Sequence, residues 1–392
     1  MLRLNQPLDP TRTGQEAATL EAGLHARIVG QSEAIQQVVE AYQEFLAGMN
    51  PPGRPIGNFL FLGPTGTGKT RLVESLAESL VGDARAVIKV DCAEFQHSHE
   101  IAKLIGSPPG YLGHKETKPY LSQEALNRFH TEKVKLSIVL FDEIEKASDA
   151  LWNLLLGILD KATLTLGDNT RVDFSRAMIF LTSNLGAAEM AAIMRPNLGF
   201  AASEVERQQR AGGGAEALNG KIARAGTEAA RRKFTPEFMN RIDKVVVFRP
   251  LGEGELRQIL NLELTAVKRR ILDSPTPFVC SISPGVKDLL LRDGTDLKYG
   301  ARHLKRTIER ELVHPLANLI ASGQIRGGDW VRVDFDAAAG RMTFVKEAEC
   351  LPQAALAQLT DSSVELPPEI LAAEAAVQLP AAAAAQARGR GK

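Results

Sequence analysis

Short apolar runs alternate with longer segments of helical periodicity between Leu24 and about Pro250. Runs of this kind are typical of strands that are buried on both faces. Because strands and helices alternate, the pattern predicts an α/β domain with a parallel sheet between helices. The predicted strands are Phe59–Leu62, Ala86–Val90, Ser137–Phe141, Ala177–Thr182 and Val245–Phe248.

The pattern changes from Glu253 onward. Glu255–Leu272 and Gly300–Ser322 have the period of amphipathic helices, and Trp330–Phe335 with Arg341–Val345 predicts a short β-pair. A smaller, mostly helical domain is therefore expected after the sheet.

Polar and low-complexity stretches define the expected domain boundaries. The start is polar and Pro/Thr-rich, and the end is Ala/Pro-rich, a composition that buries little apolar surface. The segment from Asn197 to about Arg232, with its triple glycine, predicts a flexible excursion. The expected organisation is a flexible leader over 1–23, a large domain over 24–250, a small domain over 251–346 and a disordered tail over 347–392.

Composition narrows the classes of partner. Lys+Arg and Asp+Glu both total 47 in 392 residues, so no basic excess favours nucleic acid. The first residues lack a signal-peptide core, and no apolar run is long enough to cross a bilayer. Cys92, Cys280 and Cys350 have no metal or redox spacing. We expect a cytoplasmic protein with neither nucleic-acid nor membrane partners.

A phosphate-binding motif directly follows the first predicted strand: Gly63-Pro64-Thr65-Gly66-Thr67-Gly68-Lys69-Thr70. Glycines allow backbone N–H groups to point inward, and a helix N-terminus adds partial positive charge, so the segment predicts a cradle for ATP phosphates. Lys69 is expected to reach the β- and γ-phosphates, and the Thr70 hydroxyl to ligate Mg²⁺. A plain Gly-rich turn is the alternative.

Two carboxylates follow the strand Ser137–Phe141, namely Asp142 and Glu143. In open α/β sheets ligands bind at this end of the strands. Asp142 is placed to hold Mg²⁺, and Glu143 to orient and deprotonate the attacking water. A solvated acidic turn is the alternative, but the preceding cradle favours hydrolysis.

These motifs, together with Ile144-Glu145-Lys146-Ala147, resemble the AAA+ ATPases of the Clp family, closest to the second ATPase module of ClpA, ClpB and ClpC. The resemblance runs nearly continuously from Arg27 to about Val345. It implies an AAA+ P-loop NTPase with a C-terminal small domain, ATP and Mg²⁺ as cofactors, and a homo-oligomeric, hexameric ring.

The resemblance also assigns residues around the nucleotide. Ile28 and Val29 match aliphatic residues that pack on adenine, although burial in a helix core explains them equally well. Asn184 resembles sensor 1, whose amide holds the attacking water, and a turn Asn is the alternative. Arg302, in Tyr299-Gly300-Ala301-Arg302, resembles sensor 2, a cation of the small domain that contacts the nucleotide; a salt-bridging helix residue is the alternative.

Arg241, within Phe234–Asp243, resembles the arginine that reaches the γ-phosphate of a neighbouring subunit. A guanidinium suits that role because it is always charged and donates hydrogen bonds in a fork. An arginine paired with Asp243 is the alternative. If Arg241 acts on a neighbour, the enzyme works only as an oligomer.

Two loops bear on macromolecular partners. In Gly106–Gly113, Tyr111 and Leu112 match the Clp loop that lines a central pore and grips polypeptide, whereas a Tyr packed under a surface loop is the alternative. Leu198, Gly199 and Phe200 fall where ClpA and ClpC dock on the ClpP peptidase, and an ordinary packed loop explains them equally.

The leading hypothesis is an ATP-dependent protein unfoldase or remodelling chaperone that threads polypeptide through a ring. The alternative is an AAA+ motor or loader that acts on nucleic acid or on a protein complex. A non-hydrolysing nucleotide switch is disfavoured, because the set Lys69, Asp142, Glu143, Asn184, Arg241 and Arg302 is intact.

Overall fold

The computed structural model describes residues 9, 12–107, 119–194, 214–295, 300–336, 338 and 340–349. Its centre is a five-stranded sheet of β1 (Gly57–Leu62), β2 (Ile88–Asp91), β3 (Ser137–Asp142), β6 (Ala177–Ser183) and β7 (Lys244–Val247). The strand order is β2-β3-β6-β1-β7, and every neighbouring pair is parallel. A separate hairpin of β4 (Thr163–Thr165) and β5 (Arg171–Asp173) follows β3 along the chain.

All five predicted strands form, and the predicted fold class is confirmed. Successive side chains of a strand point to opposite faces, so Leu60 and Leu62 enter one apolar cluster whereas Phe59 and Phe61 enter the other. Burial on both faces explains why these strands read as continuous apolar runs.

Helices cover both faces of the sheet. They are α1 (Gln15–His25), α2 (Ser32–Leu46), α3 (Lys69–Val81), α4 (Ala102–Ile105), α5 (Gln123–Asn127), α6 (Asp149–Lys161), α7 (Ala187–Met194), α8 (Gly214–Lys233) and α9 (Pro236–Met239). The helices α1 to α3 supply side chains to the cluster that contains Phe59, and α6 and α8 supply side chains to the cluster that contains Leu60.

Two segments expected to be flexible are helical. Residues 15–23 of the predicted leader belong to α1, whose Ala17, Leu20 and Leu24 are buried at helical spacing. Residues 214–232 of the predicted excursion belong to α8, which buries Ile222 and Ala230. Both predictions are wrong for these residues, because alanines and a few aliphatic side chains provide a buried face within a polar sequence.

The chain divides into two compact units, one through Ile259 with Thr295–His303, and one of Leu260–Gly294 with the residues from Leu304 onward. The division falls within the helices Glu253–Leu272 and Ala301–Ile308, and Arg302 groups with the first unit rather than with the small domain. The remaining elements are α10 (Glu253–Leu272), β8 (Val279–Ile282), α11 (Pro284–Gly294), α12 (Ala301–Ile308), a π-helical turn (Glu309–Val313), α13 (His314–Ala321), β9 (Trp330–Asp336) and β10 (Arg341–Ala348).

The second unit contains the predicted β-pair and one further strand. β9 and β10 are antiparallel, and β8 joins β9 in parallel. The helix predicted over Gly300–Ser322 is instead interrupted by the π-helical turn just before Pro315. Proline has no N–H to donate to the preceding turn, so the regular i to i−4 ladder cannot continue through this position.

Within the described part of the chain, none of the helices is both long and apolar enough to span a membrane.

We predict that Phe180→Ala lowers the free energy of unfolding by about 3–5 kcal/mol, because a fully buried ring is removed. The Phe180 ring stacks on Phe59 at 4.9 Å and lies 5.4 Å from Phe61. Chemical denaturation measures the change. Met49→Ala is the control, since Met49 is 77% exposed; equal midpoints for the two variants would contradict the assignment of this cluster as core.

Candidate nucleotide site

The phosphate loop joins β1 to α3 through glycines in the left-handed region. Gly63, Gly66 and Gly68 have φ values of 143°, 79° and 101°. A Cβ on Gly63 would lie 2.4 Å from the backbone oxygen of Phe248, so a side chain does not fit there. The Thr67 hydroxyl donates to Pro64 O at 2.9 Å and closes the loop on itself.

Lys69 begins α3 and is 8% exposed. Its Nζ donates to Gly63 O at 2.6 Å, to Pro64 O at 2.9 Å and to Asn184 Oδ1 at 2.9 Å. Burial lowers the pKa of Lys69 from 10.5 to about 8, and the carboxylates of Glu145, Asp142 and Glu143 oppose that shift. The ammonium is therefore held in place but is poorly hydrated, as suits a group that meets a polyanion.

Asp142 ends β3 beside the phosphate loop. The Thr70 hydroxyl lies 3.4 Å from both carboxylate oxygens of Asp142, and the Thr182 hydroxyl donates to the same carboxylate. Lys89 Nζ lies 3.4 Å from Asp142 Oδ2. Adjacent hydroxyl and carboxylate oxygens are the ligands that Mg²⁺ prefers, so Thr70 and Asp142 fit a magnesium ion.

Glu143 has a left-handed backbone with φ 58°, which is uncommon for a residue other than glycine. Its N–H donates to Thr182 Oγ1 at 3.1 Å, and its carboxylate pairs with Lys146. Asn184 Nδ2 lies 3.4 Å from Glu143 Oε1. The side chain that can act as a base therefore lies next to the amide that can hold a water.

Asn184 connects the two halves of the site. Its amide oxygen accepts from Lys69 and its amide nitrogen faces Glu143, while its backbone N–H donates to Glu145 Oε1 at 3.0 Å. The structure thus brings together five predicted residues from the start of α3 and the ends of β3 and β6: Lys69, Thr70, Asp142, Glu143 and Asn184.

Arg302 lies beside the loop, whereas Ile28 lies in the core. Ala301 N donates to Gly66 O at 3.2 Å, and the charge of exposed Arg302 helps to lower the pKa of Lys69. Ile28 is 5% exposed within an apolar cluster, and Val29 is half-buried.

Arg241 is not joined to this site by any hydrogen bond or ion pair among the described residues. Its Nη2 lies 3.3 Å from Glu237 Oε1 and 3.9 Å from Asp160 Oδ2, and its Nη1 donates to Glu237 O at 3.0 Å. The alternative partner, Asp243, instead pairs with Arg54 at 3.4 Å.

The residues expected to contact macromolecules lie outside the described residues. They are Tyr111 and Leu112 in one loop, and Leu198, Gly199 and Phe200 in the other.

Several site residues were not predicted from the sequence. Thr182 bonds both Asp142 and the Glu143 N–H from inside an apolar strand, and Lys89 reaches Asp142 from β2. Glu145 and Gln31 lie in segments that the resemblance covers, but no local pattern assigns them a partner. Their contacts depend on distant parts of the chain.

A glycine-lined loop between β1 and α3, a buried lysine and a carboxylate pair at the end of β3 define a P-loop nucleotide-binding domain. Comparisons with known proteins identify the particular family. Residues 54–245 match the family described as "AAA domain (Cdc48 subfamily)", and residues 251–333 match "C-terminal, D2-small domain, of ClpB protein".

Relatives of known sequence agree with these matches. The chain is 38% identical over 319 residues to "Chaperone protein ClpB" of Bdellovibrio bacteriovorus, covering 81% of this chain and 34% of the relative. It is 37% identical over 324 residues to "ATP-dependent Clp protease ATP-binding subunit ClpC" of Staphylococcus saprophyticus, covering 81% and 36%. The chain thus spans about a third of the length of the curated relatives it matches.

A solved structure described as "Closed State CryoEM Reconstruction of Hsp104:ATPyS and FITC casein" superposes with a TM-score of 0.67 at 28% identity. The match covers 84% of this chain and 52% of that chain. The chain belongs to the Clp family of AAA+ ATPases, and corresponds to a second ATPase module with its C-terminal small domain. The resemblance drawn from the sequence is confirmed.

We predict that affinity for ADP falls as the pH rises through the pKa of Lys69. The pKa is lowered to about 8, so the ammonium that attracts phosphate predominates below that pH and is lost above it. The dissociation constant should rise about tenfold between pH 7 and 9.5, measured by titration in EDTA so that no metal contributes.

Lys69→Arg is the control for the pH effect, because a guanidinium stays charged over this range. A wild-type affinity that stays flat with pH would show that Lys69 does not supply the titrating charge.

Proposed function

We propose that the protein is an ATP-dependent unfoldase or remodelling chaperone that works as a homo-oligomeric ring, with polypeptide as its substrate. The observation that carries the ATPase part is the position of Asn184, which contacts both the phosphate-loop lysine and Glu143. Binding of the phosphates and activation of water are thereby coupled through one side chain.

In the proposed reaction the phosphate loop and Lys69 bind the β- and γ-phosphates. Thr70 and Asp142 would hold Mg²⁺, which would neutralise charge on the phosphate oxygens. Glu143 accepts a proton from the attacking water, and the Asn184 amide orients that water without competing as a base. Ile28 and Val29 are proposed to lie against adenine, and Arg302 against the phosphates.

Arg241 is proposed to complete the site of a neighbouring subunit. In its own subunit its partners are Glu237 and Asp160, whose side chains are 63% and 43% exposed. Ion pairs this exposed are weak, so a neighbour's γ-phosphate can replace them at little cost.

The substrate assignment rests on the sequence of Gly106–Gly113 and on the family. An aromatic and an aliphatic side chain, Tyr111 and Leu112, can grip any polypeptide sterically, without reading its sequence. Relatives named as a chaperone and as a subunit of a protease support this class of substrate. Docking of a ClpP-like peptidase at Leu198, Gly199 and Phe200, and a cytoplasmic location, stay predictions.

We predict that Glu143→Gln and Arg241→Ala each lower ATP turnover by about 10²-fold or more, since one removes the base and the other a transition-state cation. Mixing the two variants should restore part of the activity, because some sites then combine an intact Glu143 with a neighbour's intact Arg241. Phosphate release measures turnover.

The control for the mixing experiment replaces Arg241→Ala with the double variant, which leaves no intact Glu143 in any subunit. No recovery in the first mixture would rule out a site shared between subunits. Full turnover in Glu143→Gln alone would remove the catalytic assignment.

We predict that Tyr111→Ala abolishes unfolding of a stable fluorescent protein while ATP turnover stays within about twofold of the wild type, because the loop touches polypeptide rather than nucleotide. Loss of fluorescence measures unfolding. Repeating the assay with a ClpP-like peptidase tests docking, since peptide fragments should form with the wild type and not with Phe200→Ala. Unfolding at the wild-type rate in Tyr111→Ala would refute the pore-loop assignment.

A further inference from the structure

Gln31 is a buried amide that links three distant segments of the first unit. It is 3% exposed and precedes α2. Its Nε2 donates to Thr67 O at 3.3 Å and to Arg249 O at 2.9 Å, and its Oε1 accepts from Arg249 N at 3.2 Å. The two carbonyls require a donor and the Arg249 N–H requires an acceptor, so the orientation of the amide is determined by its partners.

The bond to Thr67 O bears directly on the phosphate loop. A trans peptide is planar, with its C=O and N–H pointing in opposite directions. When the Thr67 carbonyl points toward Gln31, the N–H of Gly68 must point away from it. Gly68 is the cap of α3, where the free N–H groups of the first turn form the anion-binding end of the helix.

Neighbouring peptides of the loop are held in the same way. Gly66 O accepts from Ala301 N, which orients the Thr67 N–H, and Pro64 O accepts from Lys69 Nζ and from the Thr67 hydroxyl, which orients the Thr65 N–H. The carbonyls are therefore held by donors of the protein, and their paired N–H groups are left to face a ligand. For the Thr67–Gly68 peptide, Gln31 is the side chain that holds the carbonyl.

The other end of Gln31 is fixed to the sheet. Arg249 follows Phe248, whose N–H donates to Leu62 O at 2.7 Å and whose backbone packs against Gly63. The Arg249 guanidinium also donates to Gly30 O at 3.4 Å. Gln31 thus connects the glycine-rich phosphate loop to backbone that is hydrogen-bonded to the sheet.

We propose that Gln31 is a positioning residue of the nucleotide site, which sets the Thr67–Gly68 peptide so that the Gly68 N–H faces the nucleotide phosphates. The proposal rests on the proposed ATP binding. It predicts that loss of the amide donor weakens phosphate binding more than it slows the chemical step, because Glu143 and Asn184 are held by other contacts.

The test uses Gln31→Glu, which keeps the shape but cannot donate when ionised, and Gln31→Met, which has similar length and no donor. The dissociation constant of a fluorescent ADP analogue and the KM for ATP should rise about five- to tenfold in both variants. The change in kcat should be smaller. Gln36→Glu is the matched control on the exposed face of α2 and should behave as the wild type.

A merely structural role would give a different result. A smaller folded fraction lowers kcat per total protein and leaves KM and the dissociation constant unchanged. A lower kcat with an unchanged KM and dissociation constant would overturn the proposal. So would wild-type nucleotide affinity in both variants, and so would failure of both variants to fold. If instead the wild-type protein bound no ADP analogue, the proposed ATPase function would fail, and the two failures are therefore distinguishable.

Discussion

The site depends on the hydrogen bonds that hold the buried ammonium of Lys69. Three oxygens hold it, two from the phosphate loop and one from Asn184, which directly follows β6. They can converge only because β1 and β6 pair in parallel, with Leu62 opposite Ser183 and Gly63 N donating to Ser183 O. A shift of one residue in this register would send Asn184 to the other face of the sheet and leave a poorly hydrated cation without its partner.

The charges around that cation explain why a metal ion belongs to the proposed chemistry. The carboxylates of Asp142, Glu143 and Glu145 all raise the pKa of Lys69. In addition, Lys89 pairs with Asp142, and Lys146 pairs with Glu143. A triphosphate brings further negative charge to a site that already holds three carboxylates. A divalent cation between the phosphates and these carboxylates reduces their repulsion, and Thr70 with Asp142 offers the oxygen ligands that such an ion needs.

The sequence predicted the features that local patterns encode and missed those that depend on tertiary contacts. Strands, phosphate loop and carboxylates followed from apolar runs, glycine spacing and position at strand ends. Thr182 and Gln31 did not, since a threonine in an apolar strand or a glutamine before a helix acquires its partner only when distant segments meet. The helices α1 and α8 were not predicted, because their buried faces consist of alanines and a few aliphatic side chains. The overall composition of these two segments is polar, which is typical of flexible segments.

The position of Arg241 implies that the site within one subunit is unfinished if the proposed role holds. Its side chain is 24% exposed, and its buried Nε has no hydrogen-bond partner among the described residues. An unsatisfied buried donor is costly, and the two carboxylates that hold the rest of the group are partly exposed and therefore weak partners. An arginine held this way loses little when it exchanges a carboxylate for a phosphate, because the exchange keeps its charge neutralised. Such an exchange would make ATP hydrolysis depend on the contact between subunits, and so turn the ring itself into a component of the catalytic site.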